Sequence, residues 1–385
     1  MTNSNHLAIN GDGRRQDAAA RPLTYCTNIH PGESWQEIFA AVRHSAPMVK
    51  KKISPHRPFP LGLRLSGRAA WEMDGNAANE FHRWCQQEGL YVASINGFPY
   101  GTFHHAPVKQ EVYLPDWTQG ERLEYTKKLA QLLSIWLPGE MVGSISTVPV
   151  GFRADIRDED FGIVRKNLIM ALDFLHRLAD QSGKNILLSM EPEPGCVLES
   201  VDDVVAFFDR LDLPDTQRQR LAICYDCCHQ SLQFEDPVKS LELLADNAIS
   251  IGHVQVSSAL RLKDPRIALL SRYQEECYLH QTVGRTTEGR LLRYDDLDQA
   301  IAAAPEGVEE WRVHFHVPVF LDETDECTST RFFLEEVLPL LPAGPVFEVE
   351  TYTWTILPPE LQGGSVTDCL IRELEWVAKT IGNRK

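Results

Sequence analysis

The chain has 385 residues, 43% of them hydrophobic and 24% charged, a globular composition long enough for one large domain or two smaller ones. Its formal net charge of −16 argues against nucleic acid as a partner, because binding phosphates needs a basic footprint. No apolar run approaches the ~20 residues of a membrane span, so direct membrane insertion is not expected. In chain order, residues 1–22 are polar and lack an apolar stretch; they are expected to form a disordered tail and not a signal peptide. Residues 23–385 are expected to form one domain of a cytoplasmic protein. Within it, short β-branched runs recur: LTYCTNIH (23–30), LGLRLS (61–66), YVASINGFPY (91–100), MVGSISTVPVG (141–151), ILLSMEPEPG (186–195), LAICYDCCH (221–229), SIGHVQVSS (250–258), WRVHFHVPVF (311–320) and VFEVETYTW (346–354). Segments with helical periodicity lie between them, and SVTDCLIRELEWVAKTIG closes the chain.

Strands alternating with helices, each strand a nearly continuous apolar run, predict an α/β fold with a parallel sheet covered by helices. About eight such units predict a (β/α)₈ TIM barrel. A doubly wound open sheet would want a glycine-rich phosphate turn after an early strand, and the sequence has none. Nine candidate strands for eight positions leave one extra. WRVHFHVPVF is assigned to a long insertion between the seventh and eighth barrel strands.

The carboxyl ends of barrel strands build the active site in this architecture, so their polar residues are the candidates. The fifth strand ends in Glu191 and Glu193, the sixth in Asp226 and His229. The seventh carries His253 and Gln255, the insertion His314 and His316, and the last strand Glu348 and Glu350. Carboxylates in apolar strands are expensive to bury unless paired, hydrogen-bonded or bound to a cation. As a set they point to a divalent-metal or acid–base site; pairing with arginines and backbone amides is the structural alternative. Pro192 and Pro194 suggest that the fifth strand ends after Glu191, which favours Glu191 over Glu193. At the first strand His30 and Glu33 could line the pocket or form a strand-to-helix turn. Phe98, Tyr100, Tyr352 and Trp354 could stack on a sugar ring or pack the rim.

The nine cysteines include a formal C-x-x-C, Cys224 and Cys227, but no second pair exists to complete a structural zinc site. A redox site would stand at a helix start. The cysteines therefore read as reduced, packing thiols.

EPEPG, DCCH, the polar residue in the following strand and ETY together resemble the xylose-isomerase-like barrel superfamily, which holds sugar epimerases and isomerases and the endonuclease IV enzymes. The resemblance implies one divalent metal ion held by Glu191, Asp226, Gln255 and Glu350, with Glu191 and Glu350 moving the proton. It places His229 as a substrate contact or second-metal ligand. Gln255 stands where the family has histidine, and an amide oxygen suits a hard cation better than zinc; Mn²⁺ or Mg²⁺ is therefore expected, with Zn²⁺ the alternative. His253 could substitute. The repair enzymes' third- and fourth-strand histidines are missing, which argues against DNA repair, although HFH resembles their D-x-H loop with His316 at the histidine position.

LTYCTNIHPGESW, EPEPGC, CYDCCHQ, VQVSSALR, VHFHVPVF and ETYTW further resemble the EboE family of metabolite traffic proteins. That kinship implies a role in making or exporting a small sugar-like or cyclitol metabolite, with a possible hand-off to a membrane partner. The chemistry it suggests is proton abstraction next to a carbonyl, with His229, His253 and His316 contacting substrate. Two alternatives stay open: a carrier that keeps the pocket without chemistry, and hydrolysis through a second ligand cluster.

Overall fold

The computed structural model describes residues 21–104, 106–323 and 327–382. Most of the expected disordered tail, residues 1–20, lies outside them. Arg21 and Pro22, assigned to that tail, belong to the fold. The Arg21 guanidinium donates to the carbonyls of Leu338 and Leu341, and the Pro22 carbonyl accepts from the Phe347 amide.

Eight parallel strands form a nearly closed barrel: β1 (Leu23–Tyr25), β2 (Phe59–Arg64), β3 (Leu90–Asn96), β4 (Val142–Thr147), β5 (Asn185–Met190), β6 (Leu221–Asp226), β7 (Ile251–Val256) and β13 (Val346–Val349). Their order is β1-β13-β7-β6-β5-β4-β3-β2, and a single parallel bridge between Cys26 and Gly62 brings the two edges together. Helices cover the outside. Their starts carry ordinary caps, such as Ser34 with Glu37 before Trp35–Ile53, and Ser365 with Asp368 before Val366–Thr380.

Strand alternation decides what enters the barrel. Outward residues such as Ile95, Ile145, Leu188 and Ile223 belong to the main apolar core. Inward positions are small or polar. Ser144 Oγ meets Ser189 Oγ at 2.7 Å and the His253 ring at 2.7 Å. A register shift between Ile223 and Cys224 on the β6–β7 ladder brings Gly252 inward as well, where a Cβ would stand 2.1 Å from Ser189 Oγ. Gly62 is equally constrained, since a Cβ there would lie 2.1 Å from the Glu348 carboxyl carbon. A Gly62→Ala substitution is expected to destabilise the protein by about 2 kcal/mol, because that buried carboxyl has nowhere to retreat. Denaturant unfolding reads this, and an unchanged midpoint would refute it.

The insertion holds more than the one strand expected. Residues between β7 and β13 form a second, antiparallel sheet of β8 (Ser258–Leu262), β9 (Thr282–Thr286), β10 (Leu291–Tyr294), β11 (Val308–Val317) and β12 (Thr328–Ser329), in the order β10-β9-β11-β8-β12. It has its own core, around Leu260, Trp311, Val313 and Phe315. WRVHFHV lies in β11, whose alternation sends Val313 and Phe315 into that core and His314 and His316 to the barrel mouth. β8 follows β7 after Ser257 alone, so the second sheet starts at the rim of the site.

Candidate metal centre

Alternation along β5 and β13, continued past their ends, puts Glu191, Glu193 and Glu350 on the inward side, and Asp226 closes β6. Glu191, Asp226 and Glu350 are all buried, and each offers a carboxylate oxygen within 4.8 Å of the others'. Glu350 Oε1 accepts from Asn28 Nδ2 at 2.7 Å and Asn96 Nδ2 at 3.1 Å. Asp226 Oδ1 accepts from the His229 amide at 2.9 Å and Ser257 Oγ at 2.8 Å. The opposite oxygens are left over: Asp226 Oδ2 and Glu191 Oε2 are buried with no hydrogen-bond partner. Gln255 is fully buried on the strand between Asp226 and Glu348 in register, and its amide bears on the Glu348 carboxyl.

Burial and mutual repulsion raise the carboxyls of Glu191 and Glu350 well above the usual range, with Asp226 adding to both. A buried group of acids with unsatisfied oxygens, and with no Lys or Arg paired to it among the described residues, fits a hard divalent cation. Glu191, Asp226 and Glu350 are the oxygen donors brought close enough to one another to hold it.

A second cluster stands beside the first. His314 Nε2 lies 3.1 Å from His229 Nε2 and 3.2 Å from His316 Nε2. Each ring's other nitrogen has an acceptor. His229 Nδ1 donates to the Pro192 carbonyl at 3.0 Å, His316 Nδ1 to the Glu350 carbonyl at 2.8 Å, and His314 Nδ1 to Gln281 Oε1 at 2.6 Å. The Gln281 orientation follows from its amide nitrogen, which faces Glu193 Oε1 and the Pro194 carbonyl. In the neutral rings all three Nε2 atoms then carry lone pairs. Burial keeps His314 well below its ordinary value and brings His316 to about 4, which favours the neutral form. Lone pairs facing one another at these separations call for a proton or a cation, and Asp226, His229 and His316 stand close enough to one another to hold a second ion. The Tyr352 hydroxyl, 3.3 Å from His314 Nε2, offers His314 one donor.

His253 does not face substrate, contrary to the sequence reading. It sits one layer deeper, fully buried, its Nδ1 on Ser144 and its Nε2 3.1 Å from Cys224 Sγ, and burial lowers it to about 3. Glu193 accepts from Tyr113 and Gln281 and so ties the β5 end to the insertion. Glu33 binds Arg64 and the Phe103 amide, and His30 packs on Tyr25; neither lines the cavity. Of the four aromatics proposed for stacking, Phe98 and Tyr352 line it and Tyr100 and Trp354 do not. Cys26, Cys85, Cys196, Cys224, Cys227, Cys228 and Cys369 are free thiols, and Cys228 also stands within ligand reach of His314 and His316. Gln281, Asn28 and Asn96 escaped the sequence reading. Asn28, within a named run, was accessible to it; Gln281 reaches the site only through the folding of the second sheet.

The cavity over these residues is about 60 Å³. An eight-stranded parallel barrel with acids and histidines at the carboxyl ends of its strands defines a TIM-barrel protein with a metal-type site. The family model "Xylose isomerase-like TIM barrel" matches residues 58–317, and the chain belongs to that family. No curated protein matches the chain in sequence. Among solved structures, a xylose isomerase domain protein from Planctomyces limnophilus is similar with a TM-score of 0.52 and 13% identity, over 95% of this chain and 100% of that one. A xylose isomerase-like TIM barrel protein from Mycobacterium smegmatis in complex with magnesium gives 0.50 and 13%, over 95% and 98%. D-allulose 3-epimerase from Methylomonas sp. gives 0.50 and 11%, over 94% and 98%. At these identities the likeness shows the fold. Among the described residues no helix is long and apolar enough to cross a membrane.

Proposed function

We propose that the protein is a metal-dependent isomerase or epimerase that moves a proton next to a carbonyl. The observation that carries this reading is the buried, mutually facing set of Glu191, Asp226 and Glu350, in which Glu191 Oε2 and Asp226 Oδ2 have no partner and Glu191 and Glu350 line a cavity. A divalent cation held by Glu191, Asp226, Gln255 and Glu350 would polarise the substrate carbonyl and lower the acidity barrier of the neighbouring C–H. Glu191 and Glu350, entering from β5 and β13, are the proton-transfer pair: one, as carboxylate, takes the α-proton and keeps it, while the other, as carboxylic acid, gives its own proton to a second face or carbon and is left as carboxylate. Asn28 and Asn96 fix the Glu350 carboxylate, and burial together with repulsion from Glu191 and Asp226 raises its affinity for a proton. His229, which lines the cavity, orients a substrate oxygen, and the fully buried His316 stands behind it against His314 and the Glu350 carbonyl. Mn²⁺ or Mg²⁺ suits the oxygen-rich donor set better than Zn²⁺. Kinship with the EboE family, together with a sugar-like or cyclitol substrate, would place this step in the cytoplasmic biosynthesis or export of a small metabolite, with hand-off to a membrane partner.

The test is solvent proton exchange. Mn²⁺-loaded protein in D₂O is expected to wash deuterium into the α-position of accepted ketoses or inososes, detectable by NMR. Glu191→Gln and Glu350→Gln should each lower the rate at least a hundredfold. Gln255 in the family's histidine position favours a second reading, a carrier that binds without chemistry. One metal per chain, a bound ligand and no exchange would decide for the carrier.

A further inference from the structure

We propose that the ligand of this site bears its oxygens along one edge: an α-hydroxyketone head with an apolar flank, in place of a free sugar hydroxylated at every carbon. This rests on the metal-dependent reading above and specifies its substrate class. The cavity floor holds the polar demand, since the side-chain atoms lining it that are buried without a partner are Asn28 Oδ1 and Glu191 Oε2, with Asp226 Oδ2 beside them. The rest of the lining forms a largely apolar wall: Phe98, Phe103, Val108 and Val112 come from the β3–β4 connection and Leu279 from the insertion.

The polar groups of that wall are already used within the protein. The Tyr113 hydroxyl donates to Glu193 at 2.8 Å, the Tyr278 hydroxyl meets His104 Nδ1 at 2.9 Å, and Tyr352 faces His314. Lys109 Nζ binds Asp296 at 2.7 Å and the Glu275 carbonyl at 3.0 Å. Phe103, Tyr278 and Tyr352 pack on one another with ring centroids 4.9–5.3 Å apart, so they present ring faces and edges. A sugar hydroxyl turned toward this wall would lose water and gain no partner. A hydrocarbon or aryl flank would leave water for ring surface. At about 60 Å³ the cavity accommodates the head, and the flank is what must displace the wall's side chains.

Calorimetric titration of the full chain loaded with Mn²⁺ tests this, using 2-hydroxyacetophenone and L-erythrulose, which share the α-hydroxyketone head and differ in the flank. The aryl ketone is expected to bind at least tenfold tighter. Phe103→Ala and, as a second wall variant, Leu279→Ser should each cut that preference at least threefold with Mn²⁺ content unchanged. Erythrulose binding as tightly, neither ligand binding, or a preference indifferent to both variants would overturn the proposal. The same titrations after chelation separate the two readings. A preference that persists in a chain retaining no Mn²⁺ keeps this inference and removes the metal-dependent one. One Mn²⁺ per chain with no preference does the reverse.

Discussion

Mn²⁺ at a hundredfold excess over its Kd is expected to stabilise the wild-type protein by about 2.7 kcal/mol. Asp226→Asn should abolish that response and yet, without metal, be more stable than the wild type by about 1–2 kcal/mol. The opposite signs follow from one arrangement. Asp226, Glu191 and Glu350 are buried within ligand distance of one another, and Asp226 raises both glutamates. Breaking a buried ion pair normally costs 3–5 kcal/mol because a lone charge remains. Here the neighbours are like charges, so neutralising one relieves the others. Asparagine keeps the shape and an acceptor for Ser257 Oγ and the His229 amide. It removes the charge that a cation needs. Thermal or urea unfolding of both chains with Mn²⁺ and with chelator reads all four states. A metal-free variant less stable than the wild type, or a wild type indifferent to Mn²⁺, would refute the account of the site.

The carboxylates were legible in the sequence because strand periodicity is short and regular: a polar residue at the end of an apolar run has few places to go. Counting runs likewise separated the eight barrel strands from WRVHFHVPVF. Depth was not legible. His253 and Gln255 share a strand face two residues apart, roughly 7 Å along β7, and that layer separates the mouth from a position sealed by Ser144 and Cys224. The second sheet was reduced to its longest member because β8, β9, β10 and β12 have between two and five residues each, too few for a periodic signal. The partners it brings were lost with it. Gln281 touches His314, Glu193 and Tyr113 from three separate parts of the chain, and pairing across such sequence distances leaves no local trace.

Glu373 supplies the second large effect, away from the mouth. It is fully buried on the helix Val366–Thr380, and burial pushes its carboxyl up to about 7 from an ordinary 4.5. It accepts from Thr351 Oγ1 at 2.7 Å and the Val319 amide at 3.1 Å, so it ties the residue after Glu350 to the segment that follows β11. A folded-state value above the unfolded one means that the folded chain holds the extra proton between them. Its contribution is therefore intact below pH ~4.5 and is lost as the pH rises through about 7. The shift corresponds to about 3 kcal/mol. Glu373→Gln keeps an acceptor for Thr351 and Val319 and cannot ionise. Wild type and variant should thus have similar stability near pH 5, and the variant should be more stable by about 3 kcal/mol near pH 8. Glu191 and Glu350, also raised, tilt both metal-free curves the same way, and their shared slope cancels in the difference. Urea unfolding in chelator across that range measures the gap. A gap that stays constant with pH would show that Glu373 holds this junction without titrating there. One that widens would make the strand end carrying Glu350 most firmly anchored in the acid range, while protons compete with a cation for the same carboxylates.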